Sequence, residues 1–122
     1  MEKVELEQVL QEYIRLMVSG DYFDAHEVLE SAWHPMRRRC DPLANLLKGL
    51  INGAVSFEHL KRKKKGARSR ARRVMASYER HKHLCTEGIP YYPLFLQACR
   101  LVEEGKLVQS DVFLEVPYIL NR

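Results

Sequence analysis

The chain has 122 residues, which fits one globular domain of about 100 to 200 residues. Hydrophobic residues make up 46% of it and charged residues 30%, a balance that excludes disordered, collagen-like and low-complexity proteins. The formal net charge is only +4, yet nine of the 20 Lys and Arg residues lie between residues 61 and 73.

The cysteines and the apolar stretches indicate a cytoplasmic protein. Three cysteines, Cys40, Cys85 and Cys99, are odd in number and lack C-x-x-C spacing, so we expect reduced thiols, without a disulfide framework or a zinc knuckle. The acidic N-terminus lacks the basic and apolar regions of a signal peptide. The longest uncharged stretch, residues 88–99, is shorter than the roughly 20 residues of a membrane span.

Three amphipathic helices are predicted in the first half of the chain, where apolar residues recur at intervals of three and four. The first spans about residues 3–18. The second spans about residues 21–33 and ends before Pro35, because a proline disfavours helical backbone at the residue that precedes it. The third begins near Pro42 and is apolar over so wide an arc that we expect it to be the most buried element.

The second half of the chain predicts two more helices and a tail. A fourth helix contains small residues at helical spacing and runs to about His83. Pro93 breaks the chain, and a fifth helix follows and ends at Gly105. The tail, residues 107–122, is compatible with a short helix or an extended arm, and residues 112–116 are the only stretch with any strand character.

A histidine, a glutamate and a tryptophan stand out on helix two: His26, Glu30 and Trp33. The interval of four places His26 and Glu30 one turn apart on the same face. His26 shares the apolar stripe of its helix, where a polar ring without a hydrogen bond costs about 1 to 3 kcal/mol. We therefore expect a partner for it, either Glu30 or the neighbouring pair Glu58 and His59 on helix three.

These residues lie in segments that resemble a known family. Residues 20–33, 47–51 and 57–60 are similar to the small helical family known as domain of unknown function 309, whose hallmark is H-x-x-x-E-x-x-W. The resemblance covers about residues 10–78. It implies an all-helical fold and a bacterial or archaeal origin, and it implies no activity because the family has none assigned. Compared with that family, residues 61–65 stand where a shorter and less charged junction is expected, so the resemblance implies no partner for them.

Together, these patterns predict an all-α fold. We expect a single-domain multihelical bundle of packed helical hairpins, with about five helices, over residues 1–122. Within it, the family-like core covers about residues 10–78, and residues 91–122 form the C-terminal helix and tail.

His26 and Glu30 allow three interpretations. In the first, they form a structural pair that holds helix two against helix three, with Trp33 beside it. In the second, they belong to a metal site. In the third, His26 is a general base that Glu30 orients. A neutral imidazole and a carboxylate one turn apart suit one divalent ion. The residues that would complete such a metal site are Glu27, Glu58 and His59.

The basic segment, residues 61–73, is the second candidate site. It contains no acid, and the rest of the chain holds 11 basic and 16 acidic residues, a net charge of −5. On a continuous helix its cations form a ridge that can follow phosphates, although no aromatic residue within it can stack on bases. There are two alternatives. The segment is an ordinary solvated surface, or it docks onto the acidic residues 1–30 of the same chain or of a second chain. The cations are Lys61, Arg62, Lys63, Lys64, Lys65, Arg68, Arg70, Arg72 and Arg73.

The sequence thus assigns no specific function and favours a non-enzymatic helical interaction or scaffolding module, for which it implies no cofactor. Its basic ridge is a candidate surface for nucleic acid or another polyanion, and a protein partner or a homo-oligomer is an open alternative. The alternative is a metal-dependent, hydrolase-like enzyme that uses a divalent metal held by His26 and Glu30.

Overall fold

The apolar spacing forms helices close to the predicted positions. The computed structural model describes residues 5–113, and every regular element in that range is helical, which confirms the predicted all-α fold. The elements are α1 (Glu5–Val18), α2 (Tyr22–Arg38), α3 (Leu43–Arg62), α4 (Ala67–His81), a 3-10 turn (Lys82–Leu84), α5 (Tyr92–Val108) and α6 (Ser110–Phe113).

Helix α3 is the centre of the bundle, as its wide apolar arc predicts. Leu46, Leu47 and Leu50 are fully buried, and α3 packs against α2 on one side and α4 on the other. Gly49 permits the close α3–α4 crossing, because a Cβ atom there would lie 3.1 Å from the Cα atom of Tyr78. The hydroxyl of Tyr13 on α1 donates a 2.8 Å hydrogen bond to the carbonyl of Leu50, which attaches α1 to the same core.

Helix α2 continues through Pro35, so its predicted end at residue 33 was wrong. Proline inside a helix costs about 3 kcal/mol, because its nitrogen has no hydrogen to donate to the preceding turn. The extra turn places Met36 on the stripe of Leu29, where it is 4% exposed. Burial of a methionine side chain contributes about 1.5 to 3 kcal/mol, which offsets most of the proline penalty.

Helix α5 runs three residues beyond Gly105, so the predicted stop at that glycine was also wrong. The glycine is needed for packing instead. A Cβ atom at position 105 would lie 2.4 Å from the Cζ atom of Phe57, an aromatic ring that is buried at the C-terminal end of α3. Gly105 therefore lets α5 approach α3 inside a continuous helix.

An ionic network attaches α5 to α4. The ammonium of Lys106 is largely buried and donates hydrogen bonds to Glu79 and, at 3.1 Å, to Glu103. Tyr78 donates a further 2.8 Å hydrogen bond to Glu103. Desolvation raises the pKa of both glutamates, but the hydrogen bonds outweigh it, so each pKa lies below its ordinary value. Both carboxylates are therefore charged at neutral pH.

The helices pack so that distant segments meet at one end of the bundle. The ring of Tyr22, at the start of α2, lies 5.5 Å from that of Phe57, near the end of α3. The rings of Phe57 and Phe113 are 5.9 Å apart, so α6 closes the same end. None of the helices in residues 5–113 combines the length and the apolar character that a membrane span requires. The remainder of the predicted tail, including most of the strand-like stretch 112–116, lies outside the described residues.

Candidate functional site

His26 finds a partner in its own helix. Its Nδ1 atom lies 2.6 Å from the carbonyl oxygen of Phe23, and since a carbonyl can only accept, Nδ1 carries the proton and donates it. Its Nε2 atom is 3.9 Å from Oε1 of Glu30, a separation that is too long for a hydrogen bond. A hydrogen bond between His26 and Glu30, one of the expected pairings, is thus absent. The histidine side chain is 16% exposed, and the backbone carbonyl accepts the hydrogen bond of its Nδ1 donor.

Trp33 contacts two cations. The guanidinium of Arg37 lies 5.1 Å from the centre of the indole, and the ammonium of Lys48 lies 4.8 Å from it. Lys48 belongs to α3, so the contact joins α2 to α3. The indole also packs against the ring of His34, 4.8 Å away. A contact of this kind contributes about 0.5 to 2 kcal/mol, depending on how far the cation is desolvated.

The other predicted metal ligands do not join His26 and Glu30. Glu58 accepts a 2.7 Å hydrogen bond from Arg62, and Glu27 is exposed to solvent. Partial burial and the nearby charges of Arg70 and Arg62 lower the pKa of His59. Among the residues that the structure describes, no group of three or more His, Cys, Asp and Glu side chains is arranged to hold a metal ion.

The basic segment is not one helical ridge, which corrects the sequence-based expectation. Helix α3 ends at Arg62 and α4 begins at Ala67, and the backbone turns between them. Lys63, which ends α3, and Gly66, which precedes α4, have positive φ angles of 55° and 78°, so the chain is left-handed at both ends of the turn. The cations therefore surround the α3–α4 turn, which places them on two helices and a loop.

Four of these cations are engaged within the chain. Lys61 donates a 2.8 Å hydrogen bond to the carbonyl of Gly20, and Arg62 pairs with Glu58. The other two contact the end of the described chain: Arg68 lies 3.3 Å from Asp111, and Arg72 donates to the carbonyl of Val112.

Five cations are left without such a contact. Within residues 6–113, they make no ion pair and no side-chain hydrogen bond: Lys63, Lys64, Lys65, Arg70 and Arg73. All but Arg70, which is half-buried, are exposed. In the same range, no ion pair links the basic segment to the acidic residues before residue 31.

A groove of about 1200 Å³ opens beside the α3–α4 turn. Cations form part of its wall: Lys61, Lys63, Lys64, Arg68 and Arg72. Apolar side chains from four helices form another part, namely Tyr22, Phe57, Leu60, Val108 and Val112, and uncharged polar side chains also line the groove: Ser19, Ser69 and Gln109. The groove thus combines apolar surface with one sign of charge, which suits an anionic partner that also has apolar parts.

The structure adds two aromatic residues that the sequence did not associate with the basic segment. The ammonium of Lys61 lies 5.7 Å from the centre of the Tyr22 ring, and the guanidinium of Arg62 lies 5.9 Å from that of Phe23. Phe23 is 46% exposed. The short link between α2 and α3 could have predicted this proximity. A short link makes the two helices antiparallel, so the start of α2 lies beside the end of α3.

The comparisons with known proteins give one match. The model of a family described as domain of unknown function (DUF309) matches residues 10–70, which run from α1 into the first turn of α4. No curated protein and no solved structure matches the chain. The matched range includes His26, Glu30, Trp33 and most of the basic segment.

Proposed function

Because the chain belongs to domain of unknown function 309, whose description assigns no activity, we propose a function from geometry: a non-enzymatic helical binding module whose basic segment contacts the phosphates of nucleic acid. The observation that carries this proposal is the group of five cations around the α3–α4 turn that have no described partner. Like charges held close together repel each other, and an anion that binds them removes this cost.

The engaged cations support the same proposal. Lys61 and Arg68 attach the turn to the α1–α2 loop and to α6, so the backbone between them, which carries the three lysines that lack a partner among residues 6–113, is anchored on both sides. A preorganised site loses less entropy on binding than a disordered basic tail does. Lysine and arginine contacts to phosphate oxygens carry no sequence information, so we expect binding that is independent of sequence.

The test is the salt dependence of binding. Fluorescence anisotropy with a labelled oligonucleotide should show binding at about 20 mM salt and a steep loss by about 200 mM. If all five cations contact phosphates, the logarithm of the association constant should fall with the logarithm of salt concentration with a slope of about −3.5 for a single strand and about −4.5 for a duplex. Absence of binding at low salt, or a slope near zero, would contradict the proposal. Size-exclusion chromatography on the free protein tests the alternative that a second copy of the chain occupies this surface, because the protein would then elute as a dimer.

A divalent metal held by His26 and Glu30, in a hydrolase-like enzyme, is the second candidate, and one observation favours it. The Nδ1 proton is donated to a backbone carbonyl, the arrangement that orients metal-binding histidines, and Nε2, the atom that would bind the metal, lies 3.9 Å from Glu30.

If the metal site exists, zinc or manganese should raise the melting temperature of the wild-type protein, because a ligand that binds only the folded state stabilises it by about 2.7 kcal/mol at 100 times its Kd. His26→Ala and Glu30→Gln should each remove the shift. Glu27→Gln, on the exposed neighbour, is the matched control and should keep it. An equal shift in all four proteins, or none in the wild type, would eliminate this candidate.

A further inference from the structure

We infer that the nucleic acid bound by the basic segment is single-stranded and that one of its bases stacks on Phe23; this inference rests on the proposed function. Single-strand binding proteins combine a basic groove, which follows the backbone, with aromatic side chains on which unpaired bases stack. The bases of a duplex are already stacked on each other and present no free face to a side chain.

The ring of Phe23 is held in place. It makes an edge contact with the ring of His26, with 4.9 Å between the ring centres, and His26 also bonds to the Phe23 carbonyl. Arg62 lies over the same ring, and its own position is fixed by the 2.7 Å hydrogen bond to Glu58. An aromatic surface that is already positioned loses little entropy when a base stacks on it.

Phe23 is also the aromatic residue of this region that remains open. Tyr22, next to it, lines the groove, but its ring packs on Phe57 and lies under the ammonium of Lys61. Phe57 is buried. Phe23 keeps 46% of its surface exposed, although an apolar ring of this size gains free energy from burial. An isolated exposed phenylalanine would need no explanation, but this one contacts the basic segment.

The contact between Arg62 and Phe23 joins the aromatic part of the proposed site to its basic part. Arg62 lies over Phe23, and the next residues along the chain are Lys63, Lys64 and Lys65, which make no ion pair and no side-chain hydrogen bond with residues 6–113. A strand whose phosphates contact these lysines therefore passes close to the ring. His26 takes on a role in this arrangement, as a positioning residue that holds Phe23. An acidic protein partner would satisfy the lysines equally well and could also pack on the ring, so polyglutamate is the probe for that alternative.

The experiment compares Phe23→Leu, which keeps an apolar side chain but removes the aromatic face, with the wild type. The probe is a fluorescein-labelled oligothymidine, and the same strand with abasic sites supplies the backbone without bases. We expect Phe23→Leu to weaken binding to oligothymidine about tenfold, as loss of one stacked base does, and to leave binding to the abasic strand unchanged. Phe23→Trp should restore the affinity.

Tyr91→Leu is the matched control, since Tyr91 is an aromatic residue of similar exposure, 43%, at the start of α5. It should leave the affinity unchanged. If Phe23→Leu binds oligothymidine as tightly as the wild type, or if a duplex of equal length binds more tightly than the single strand, the inference is overturned while the proposed function stands. If Phe23→Leu weakens binding to polyglutamate as much as to oligothymidine, the surface takes an acidic protein instead. Absence of binding to every polyanion overturns the proposed function itself.

Discussion

Reversal of three charges on the α3–α4 turn, Lys63→Glu with Lys64→Glu and Lys65→Glu, is expected to weaken nucleic acid binding by about 100-fold or more at moderate salt. Each substitution removes a cation and introduces a repulsive charge. The three side chains are exposed and make no ion pair with residues 6–113, so their loss breaks no described contact. Anisotropy measures the affinity, and a thermal melt verifies that the variant is folded.

The chain offers a matched control in Arg37→Glu with Arg38→Glu and Arg39→Glu. These three exposed residues lie at the far end of α2, about 24 Å from its start at a rise of 1.5 Å per residue. The control changes the net charge by the same amount but leaves the α3–α4 turn intact, so its affinity should fall much less. Because it removes the contacts of Arg37 with Trp33 and of Arg39 with Asp41, a thermal melt verifies that it is folded too. Equal losses in the two variants would mean that overall charge, and no particular surface, drives binding.

Gly105→Ala is expected to destabilise the protein by about 1 to 3 kcal/mol, the usual cost of overpacking a core. The new Cβ atom would lie 2.4 to 2.9 Å from three atoms of the Phe57 ring, which is enclosed between Tyr22 and Phe113. Alanine favours helix over glycine by about 1 kcal/mol, so a net loss of stability would show that the packing clash is the larger effect. Urea denaturation measures the free energy of unfolding.

Two further variants test the cause. Gly88→Ala is the control, because a Cβ atom there meets nothing within 4 Å, and its stability should be unchanged or slightly raised. Phe57→Leu makes room beside position 105, so it should cost less in the Gly105→Ala background than in the wild type. A double-mutant cycle measures this coupling. A fully stable Gly105→Ala protein, with no coupling to Phe57, would contradict the packing role of the glycine.

The local features of the chain were predictable wherever one physical effect dominates. The wide apolar arc of α3 identified the central helix, because burial of so many apolar side chains outweighs every competing preference. Pro35 and Gly105 misled the prediction for the same reason. Each weakens an isolated helix, but in the fold Met36 is buried beyond the proline and Phe57 packs on the glycine. The helix propensity of a single residue contributes less free energy to the fold than its tertiary packing does.

The candidate sites divide in a similar way. The spacing of His26 and Glu30 placed them one turn apart, but two partners were within reach of the imidazole, and the side-chain orientation in the fold selected the Phe23 carbonyl over Glu30. The concentration of nine cations in residues 61–73 is a property of the sequence alone. Their arrangement is not, because the turn at Lys63 and Gly66 replaces a single helical face with a corner between two helices.

The sequence by itself determined that the protein is helical, which helix lies at its centre, and that its mild net charge conceals a strongly basic segment. Only the tertiary structure brought Phe23 and Tyr22 to that segment, about 40 positions away along the chain. The physical reason is that helical periodicity is a local property, carried by neighbouring residues. Contacts between the ends of different helices depend on which helices pair and in which direction, and this is decided by the packing of the whole core.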